Sequence, residues 1–449
     1  MIGIFSTGAA YPSSPVTLSL NPKTPGPVLP DQFLGVSYET QQMLPDASGH
    51  YYFGPENQPL INMFKTMGIK NLRIGGNTVD NNAIPIPGHA DIDSLFAFAQ
   101  ADGVHVIYSV RLKQGNADQD AAIAQYVAHH YAAQLSCFAI GNEPNIYLKK
   151  YALYGDTWQK FMNAILAAVP GAKFCGPSAI TASWVAEFAD QFGSSGHLAF
   201  VCVHNYPGGA GNKVKDPAAA RSAMLSTKWV AGYEALLKKF APIAQTQHLP
   251  WRIEETNSFF NGGAINVSDT YTSSLWSLDY LYWFAFHSAD GLNFHTGDEV
   301  AAGNLKKPCR YALFWTAPDG YMAHPEAYGV LAFSLAAHGR EIPVTFVSNP
   351  DAVNLTAYGI LAPDGSLYVT LINKDNGTGA HDAMVKLNPG NSYSHAQFMR
   401  LVAPHNDLSL TAGVTLGGAT IEDNGTWNGQ WSPLGQPATN GQISIDVPA

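Results

Sequence analysis

Eight short apolar runs, each followed by a segment of helical period, are spread from residue 33 to about residue 335. That alternation is the pattern of βα units feeding a parallel sheet. The runs cover residues 33–38, 71–74, 104–110, 137–141, 173–176, 200–204, 251–255 and 291–295. Eight is the number at which such a sheet closes, so the expected fold is α/β, a (β/α)8 TIM barrel. Between the runs, Trp158, Phe161, Met162, Ile165 and Val169 recur at helical spacing and stop at Pro170-Gly171, and residues 271–286 read as a long aromatic helix. These faces are assigned to packing and to no chemistry. After Gly339-Arg340 the period changes to two, with runs at 354–358 and 367–372 joined through an Asp364-Gly365 turn. The organisation expected is a barrel over 28–338 and an appended C-terminal β-sandwich over 339–449. An N-terminal segment, 1–27, contributes its run at 16–20 to the sandwich as a strand.

Charge and cysteine usage narrow the partners. A formal charge of −10 argues against a general polyanion-binding surface, and so against nucleic acid. No apolar run approaches the roughly eighteen residues of a membrane span. The segment Met1-Ile2-Gly3-Ile4-Phe5 lacks the basic start and long apolar stretch of a signal peptide, although a secreted or periplasmic location is the expectation. Cys137, Cys175, Cys202 and Cys309 show no CxxC spacing, and the first three lie in strand-like runs, so they read as buried free thiols. The histidines show no ligand spacing such as HExxH, and neither a metal nor an organic cofactor is expected. A monomer is expected.

Two glutamates stand where an apolar strand gives way to a polar loop: Glu143 in Gly141-Asn142-Glu143-Pro144-Asn145, and Glu255 in Arg252-Ile253-Glu254-Glu255-Thr256-Asn257-Ser258. A carboxylate there is costly unless it is paired or used. Strand counting puts Glu143 at the end of the fourth barrel strand and Glu255 at the end of the seventh, across the mouth where barrel enzymes carry their chemistry. A pair of that kind suits a retaining glycosidase, whose two carboxyls stand roughly 5 to 5.5 Å apart, one as acid/base and one as nucleophile. Glu254 competes with Glu255, because successive strand residues point to opposite faces. The expectation for Glu254 is a hydrogen-bonded carboxylate in the layer between strands and helices. Arg73, at the end of strand two, is a candidate to orient the nucleophile, with a structural ion pair as its alternative. Glu39, His204 and Tyr206 also sit at strand ends, as subsite walls or as satisfied rim residues.

Four motifs in order carry a resemblance: Leu72-Arg73-Ile74-Gly75-Gly76-Asn77-Thr78, Gly141-Asn142-Glu143-Pro144-Asn145, Glu255-Thr256-Asn257-Ser258 followed by Gly262-Gly263, and Asn293-Phe294-His295. Together they resemble glycoside hydrolase family 79 of clan A, the heparanases and β-glucuronidases, and in particular its bacterial heparanase-like members. The resemblance implies Glu143 as acid/base, Glu255 as nucleophile and Asn142 as the partner of the sugar 2-hydroxyl. It also implies that the backbone amides of Asn261 and Gly262 meet a uronate carboxylate. One position departs: where the family commonly has a tyrosine five residues after the nucleophile, this chain has Phe260. Tyr311 or Tyr321 are the candidates to supply the missing hydroxyl.

The loop after Asn77 is short, with the next helix expected near Asp91, whereas exo-acting relatives carry a long insertion there. An open cleft is therefore expected. Arg111, Lys113, Lys149, Lys150, Lys213, Lys215, Lys306, Lys307 and Arg310, nine of 24 basic residues, fall in loops on the same face. They would attract an acidic polysaccharide, although Asp118, Asp216, Asp298 and Glu299 share those loops. The leading expectation is an endo-β-glucuronidase acting on heparan sulfate or a similar glycosaminoglycan. The alternatives are an exo-β-glucuronidase, a clan A enzyme for a neutral sugar such as xylose, and a non-catalytic carbohydrate-binding protein.

Overall fold

The computed structural model describes residues 11–302, 305–389, 393, 395–434 and 442–449. The Met1–Phe5 segment read above for a signal lies outside them. An N-terminal strand, β1 (Ser13–Leu20), precedes the eight strands β2 (Leu34–Glu39), β3 (Asn71–Gly75), β4 (His105–Val110), β5 (Leu135–Ile140), β6 (Phe174–Ala179), β7 (Leu198–Asn205), β8 (Trp251–Thr256) and β9 (Gly291–His295). β2 to β9 form a closed barrel in sequence order, with β9 returning to β2 in parallel from Leu34↔Leu292 to Ser37↔His295. Each of the eight expected runs is a barrel strand, with ends displaced by a few residues.

Alternation along these strands separates two environments. Val36, Leu72, Ile74, Val106, Phe138, Val201, Ile253 and Phe294 face outward and join the main core with the surrounding helices. Within it, the helix Tyr151–Ala168 buries Trp158, Phe161, Met162 and Ile165. The inward residues form a smaller cluster of Ile107, Cys137, Ala139, Cys175, Phe200 and Cys202. At the lower end of the barrel, Arg252 donates to Asn293 Oδ1 at 2.7 Å and to the Phe33 carbonyl at 3.2 Å, so a hydrogen-bonded polar plug closes the floor. All four cysteines are buried free thiols.

β1 crosses to the C-terminal sheets. It pairs antiparallel with Val344–Ser348 and parallel with Asp382–Asn388, which in turn pairs with Ile443–Val447. A second sheet holds Arg340–Ile342, Leu355–Leu361 and Leu367–Asn373. Between the two lie Val16, Leu18, Leu20, Ile342, Leu355, Val385 and Leu387, giving the sandwich its own core. The helix Tyr271–Ala285 is buried almost throughout because the barrel covers one side and this sandwich the other. Its Asp279 accepts from Thr356 Oγ1 and the Tyr358 hydroxyl at 2.8 Å each and from Lys374 Nζ at 2.7 Å, and Tyr358 stacks on Tyr282. Buried charge-assisted bonds of this kind hold barrel and sandwich in one relative position.

Candidate active site

The end of β8 breaks the alternation. β7 pairs Val203 with Ile253 and then His204 with Glu255, while β9 pairs Leu292 with Ile253 and then Phe294 with Thr256. The extra residue is a bulge, a device that re-aims side chains at a strand end. As a result Glu254 and Glu255 are both presented on the inner side. Ile253 faces outward, so alternation itself brings Glu254 inward and the bulge brings Glu255 in beside it; Glu254 is not in the layer between strands and helices, where it was expected. It lies inside the barrel, with Oε2 accepting from Cys175 Sγ at 3.4 Å and Oε1 3.4 Å from His204 Nε2.

Glu143 reaches the same space from the end of β5, the fourth barrel strand. Gly141 (φ 80°) and Glu143 (φ 45°) both adopt left-handed backbone, which turns the strand sharply into the short helix Pro144–Tyr147. Two tertiary bonds hold this turn: Asn142 N–H donates to Asp80 Oδ2 at 2.9 Å and Glu143 N–H to the Ser178 carbonyl at 2.8 Å. Asp80 also receives Leu112 and Lys113 N–H and the Tyr147 hydroxyl, so one buried carboxylate ties together three of the loops at the mouth.

A carboxylate oxygen of Glu143 and one of Glu255 lie within 4.8 Å of each other, with a His204 ring nitrogen in the same group. His204 Nδ1 is 3.0 Å from Glu143 Oε1 and 3.9 Å from Glu255 Oε2. Arg73, fully buried, donates to Glu255 Oε2 at 2.5 Å, to Ser37 Oγ at 3.1 Å and to Asn142 Oδ1 at 2.7 Å. The Tyr206 hydroxyl donates to Glu255 Oε1 at 2.9 Å. Glu255 is thus fixed from both oxygens, and a metal there would displace or repel the guanidinium already bound.

Burial alone would raise the Glu255 pKa, but the charges of His204, His295 and Arg73 and the Tyr206 hydrogen bond overcome it and hold the carboxyl well below its ordinary value. Burial likewise disfavours charge on His204, yet Glu255, Glu143 and Glu254 outweigh it and the imidazole is held up at about 9. Glu254 is also pushed below the usual carboxylate range: desolvation opposes ionisation, and His204 and Arg73 override it. The two buried carboxylates Glu254 and Glu255 are therefore neutralised by Arg73 and His204, with His295 adding to Glu255.

The structure brings together Glu143, Glu255, Asn142, Arg73, His204 and Tyr206. Tyr311 stands beside them, its ring 6.1 Å from that of Tyr206 and 6.2 Å from that of His295. Tyr321 is elsewhere, packed on Tyr52 outside β2 and bonded by Asn57. Glu39 faces the mouth, but Oε2 is taken by Thr78 N–H and Oγ1 and Oε1 by Ala301 N–H, so it braces loops. The close approach requires glycine at 76, where φ is 66° and an added Cβ would collide with that carboxylate. Asn261 and Gly262 follow each other in left-handed backbone, and among the described residues their amides have no backbone acceptor. Phe260 beside them is exposed, its ring 6.3 Å from that of Tyr206.

Several members of the site escaped the sequence reading. His295, 4.0 Å from Glu255 Oε2, sits at a strand end and was legible from the strand-end rule. Ser37 carries the same signal. Asp80 lies in a loop and Ser178 near the end of β6, and only the fold places them against the Asn142-Glu143 turn.

The basic rim is smaller than its count in sequence. Arg111 is turned inward onto the carbonyls of Val79, Asn81 and Ile84, Lys149 bonds the Ile146 carbonyl, and Lys306 pairs with Glu299 at 3.4 Å. Arg310 lies over Trp315 and 4.0 Å from Asp269. Lys150, Lys213 and Lys215 remain exposed.

Fold and site together define a (β/α)8 barrel with an appended β-sandwich and two facing carboxylates at its mouth. The same architecture, from end to end, is found in a 4-O-α-L-rhamnosyl-β-D-glucuronidase from Fusarium oxysporum 12S, with a TM-score of 0.72 and 20% identity over 98% of both chains. A GH51 arabinofuranosidase from Xanthomonas axonopodis pv. citri shares it with a TM-score of 0.69 and 15% identity over 97% of this chain and 98% of that one. So does a monomeric β-xylosidase from Caulobacter crescentus CB15, with a TM-score of 0.60 and 15% identity over 97% of each. No protein-family model matches the chain, and no curated protein matches it in sequence. Among the described residues no helix is long and apolar enough to cross a membrane.

Proposed function

We propose that the protein is a retaining glycoside hydrolase that cleaves β-glucuronide linkages within an acidic glycosaminoglycan such as heparan sulfate. The observation that carries this reading is the approach of the Glu143 and Glu255 carboxylate oxygens to within 4.8 Å. Retaining enzymes work with carboxyls about 5 to 5.5 Å apart, whereas inverting ones need about 6.5 to 9.5 Å to admit a water. Glu143, protonated, donates to the glycosidic oxygen while Glu255 attacks the anomeric carbon, and a water activated by Glu143 then hydrolyses the ester with net retention. Arg73 and Tyr206 hold Glu255 ionised and aimed, and Asn142, oriented by Arg73, is placed to meet the 2-hydroxyl.

The glucuronide part of the reading is supported by the motifs resembling family 79, by the Asn261 and Gly262 amides, and by the end-to-end likeness to a protein named as a glucuronidase. Cutting within a chain is favoured by the short connection from Val79 to the helix at His89, and by exposed Lys150, Lys213 and Lys215. Removal of a terminal glucuronide is the second reading, because Arg111 is turned inward and Lys149, Lys306 and Arg310 are engaged by neighbouring groups, which weakens the case for a polysaccharide track.

Wild type and Glu255→Gln are incubated with heparan sulfate and with phenyl and 2,4-dinitrophenyl β-glucuronides. Expected are hydrolysis with retained anomeric configuration by NMR, shortening of the polysaccharide, and no turnover by the variant despite retained binding. An inverted product, or near-normal activity of Glu255→Gln, overturns the mechanism. Aryl release with intact polysaccharide selects the terminal-sugar reading.

A further inference from the structure

Glu254 lies directly below the reacting pair and has no role in the steps above. Its carboxylate is fully buried. Oε1 faces His204 Nε2 at 3.4 Å, an ion-pair contact outside regular hydrogen-bond geometry, and neither atom has a hydrogen-bond partner among the described residues. The opposite ring nitrogen, Nδ1, meets Glu143 Oε1 at 3.0 Å. One imidazole therefore spans two carboxylates of different function. The groups that face it are Glu143 from β5, Glu254 and Glu255 from β8, and the cationic Arg73 from β3.

An ionised carboxylate offers only lone pairs, so the hydrogen between Glu254 and His204 resides on Nε2. Were Nε2 bare, two acceptors would meet in a buried site with nothing between them, a costly arrangement. With Nε2–H fixed, the state of Nδ1 decides what Glu143 can do. We propose that Glu254 is a positioning residue for proton donation: it holds His204 as a double donor whose Nδ1–H occupies Glu143 Oε1, confining the acidic proton of Glu143 to Oε2. The proposal rests on the reading of Glu143 as the acid/base.

The charge balance through the first step follows. The proton leaves Glu143 Oε2 for the glycosidic oxygen, whose bond to the anomeric carbon breaks as Glu255 forms an ester. Negative charge disappears from Glu255 and appears on Glu143. The imidazolium stands between the two, 3.9 Å from one and 3.0 Å from the other, and its bond to Glu143 passes from one with a neutral acceptor to one between opposite charges as the transition state forms. An interaction that strengthens in that way lowers the barrier. In the second step the proton taken from water returns to Oε2.

Glu254→Gln tests this without changing side-chain size. Phenyl β-glucuronide needs a proton on its leaving oxygen, whereas 2,4-dinitrophenyl β-glucuronide departs without one. For the phenyl substrate, kcat/KM should fall by at least about tenfold, part of the roughly 10²- to 10⁴-fold that general acid catalysis supplies. Its alkaline limb should move to lower pH, because one of the charges that retain the imidazole proton is gone. For the dinitrophenyl substrate the loss should be small. Equal losses on both substrates with an unmoved limb would make Glu254 structural and overturn the proposal. A wild type that cleaves neither substrate would instead sink the functional reading. Should Glu254→Gln fail to fold, ¹⁵N spectra of histidine-labelled wild type decide. Protons on both His204 nitrogens at pH 7 are expected, and a neutral ring protonated at Nδ1 refutes it.

Discussion

Arg73→Met is the substitution whose consequences the site fixes most tightly. The guanidinium is fully buried and makes three side-chain bonds, to Glu255, Ser37 and Asn142. Removing it leaves Glu254 and Glu255 buried with only imidazoles as counter-charges. Breaking one partner out of a buried ion pair costs about 3 to 5 kcal/mol, because the remaining charge stays desolvated. The loss should depend on pH, and its sign follows from Glu255. That group's folded pKa lies below its unfolded value, so it contributes stability present above the unfolded pKa of about 4.3 and lost as pH falls toward the folded one. Without Arg73 much of the depression goes. The variant should therefore be weakest relative to wild type near pH 7, and the gap should narrow as pH falls below about 4. Urea unfolding followed by tryptophan fluorescence at pH 7 and at pH 3 measures both. A loss under about 1 kcal/mol at pH 7, or one equal at the two pH values, would refute the view that Arg73 neutralises this pair.

Other expectations concern separate parts of the molecule. Glu143→Ala should slow phenyl β-glucuronide hydrolysis by about 10² or more through the first step yet spare that step for the dinitrophenyl ester-forming reaction, which pre-steady-state burst kinetics will reveal. Lys374→Met leaves Asp279 buried without its cation at the barrel–sandwich junction, so stability should fall by about 3 to 5 kcal/mol while kcat/KM of the folded protein stays near wild type. Phe260→Tyr adds a hydroxyl beside Tyr206 and the Asn261 and Gly262 amides. It should raise the preference for aryl β-glucuronide over aryl β-xyloside by several-fold, about 1 kcal/mol, and an unchanged ratio would remove Phe260 from the sugar-binding wall.

Much of this protein is written locally. Eight apolar runs with helical segments between them determine the barrel, because a strand buried on both faces must be continuously apolar and each needs a helix to cover it. The period-two runs after Gly339 determine the sandwich, and β1 joins it through Asp382–Asn388 as its isolated run at 16–20 suggested. Glu143 and Glu255 were legible for the same reason: a charged group at the end of an apolar strand has few structural uses. What the sequence could not contain is the bulge in β8, which arises only when β7 and β9 pair with it out of step. That bulge turns Glu255 inward beside Glu254, which alternation from Ile253 already places inside the barrel and against His204, so both glutamates face the interior. Nor could a count of lysines and arginines show that Arg111 and Lys306 are spent on neighbouring groups. Alternation is a property of one strand, whereas the partners of a buried charge belong to the closed barrel, and so the position of the candidate pair was local while its electrostatic setting was decided by tertiary structure alone.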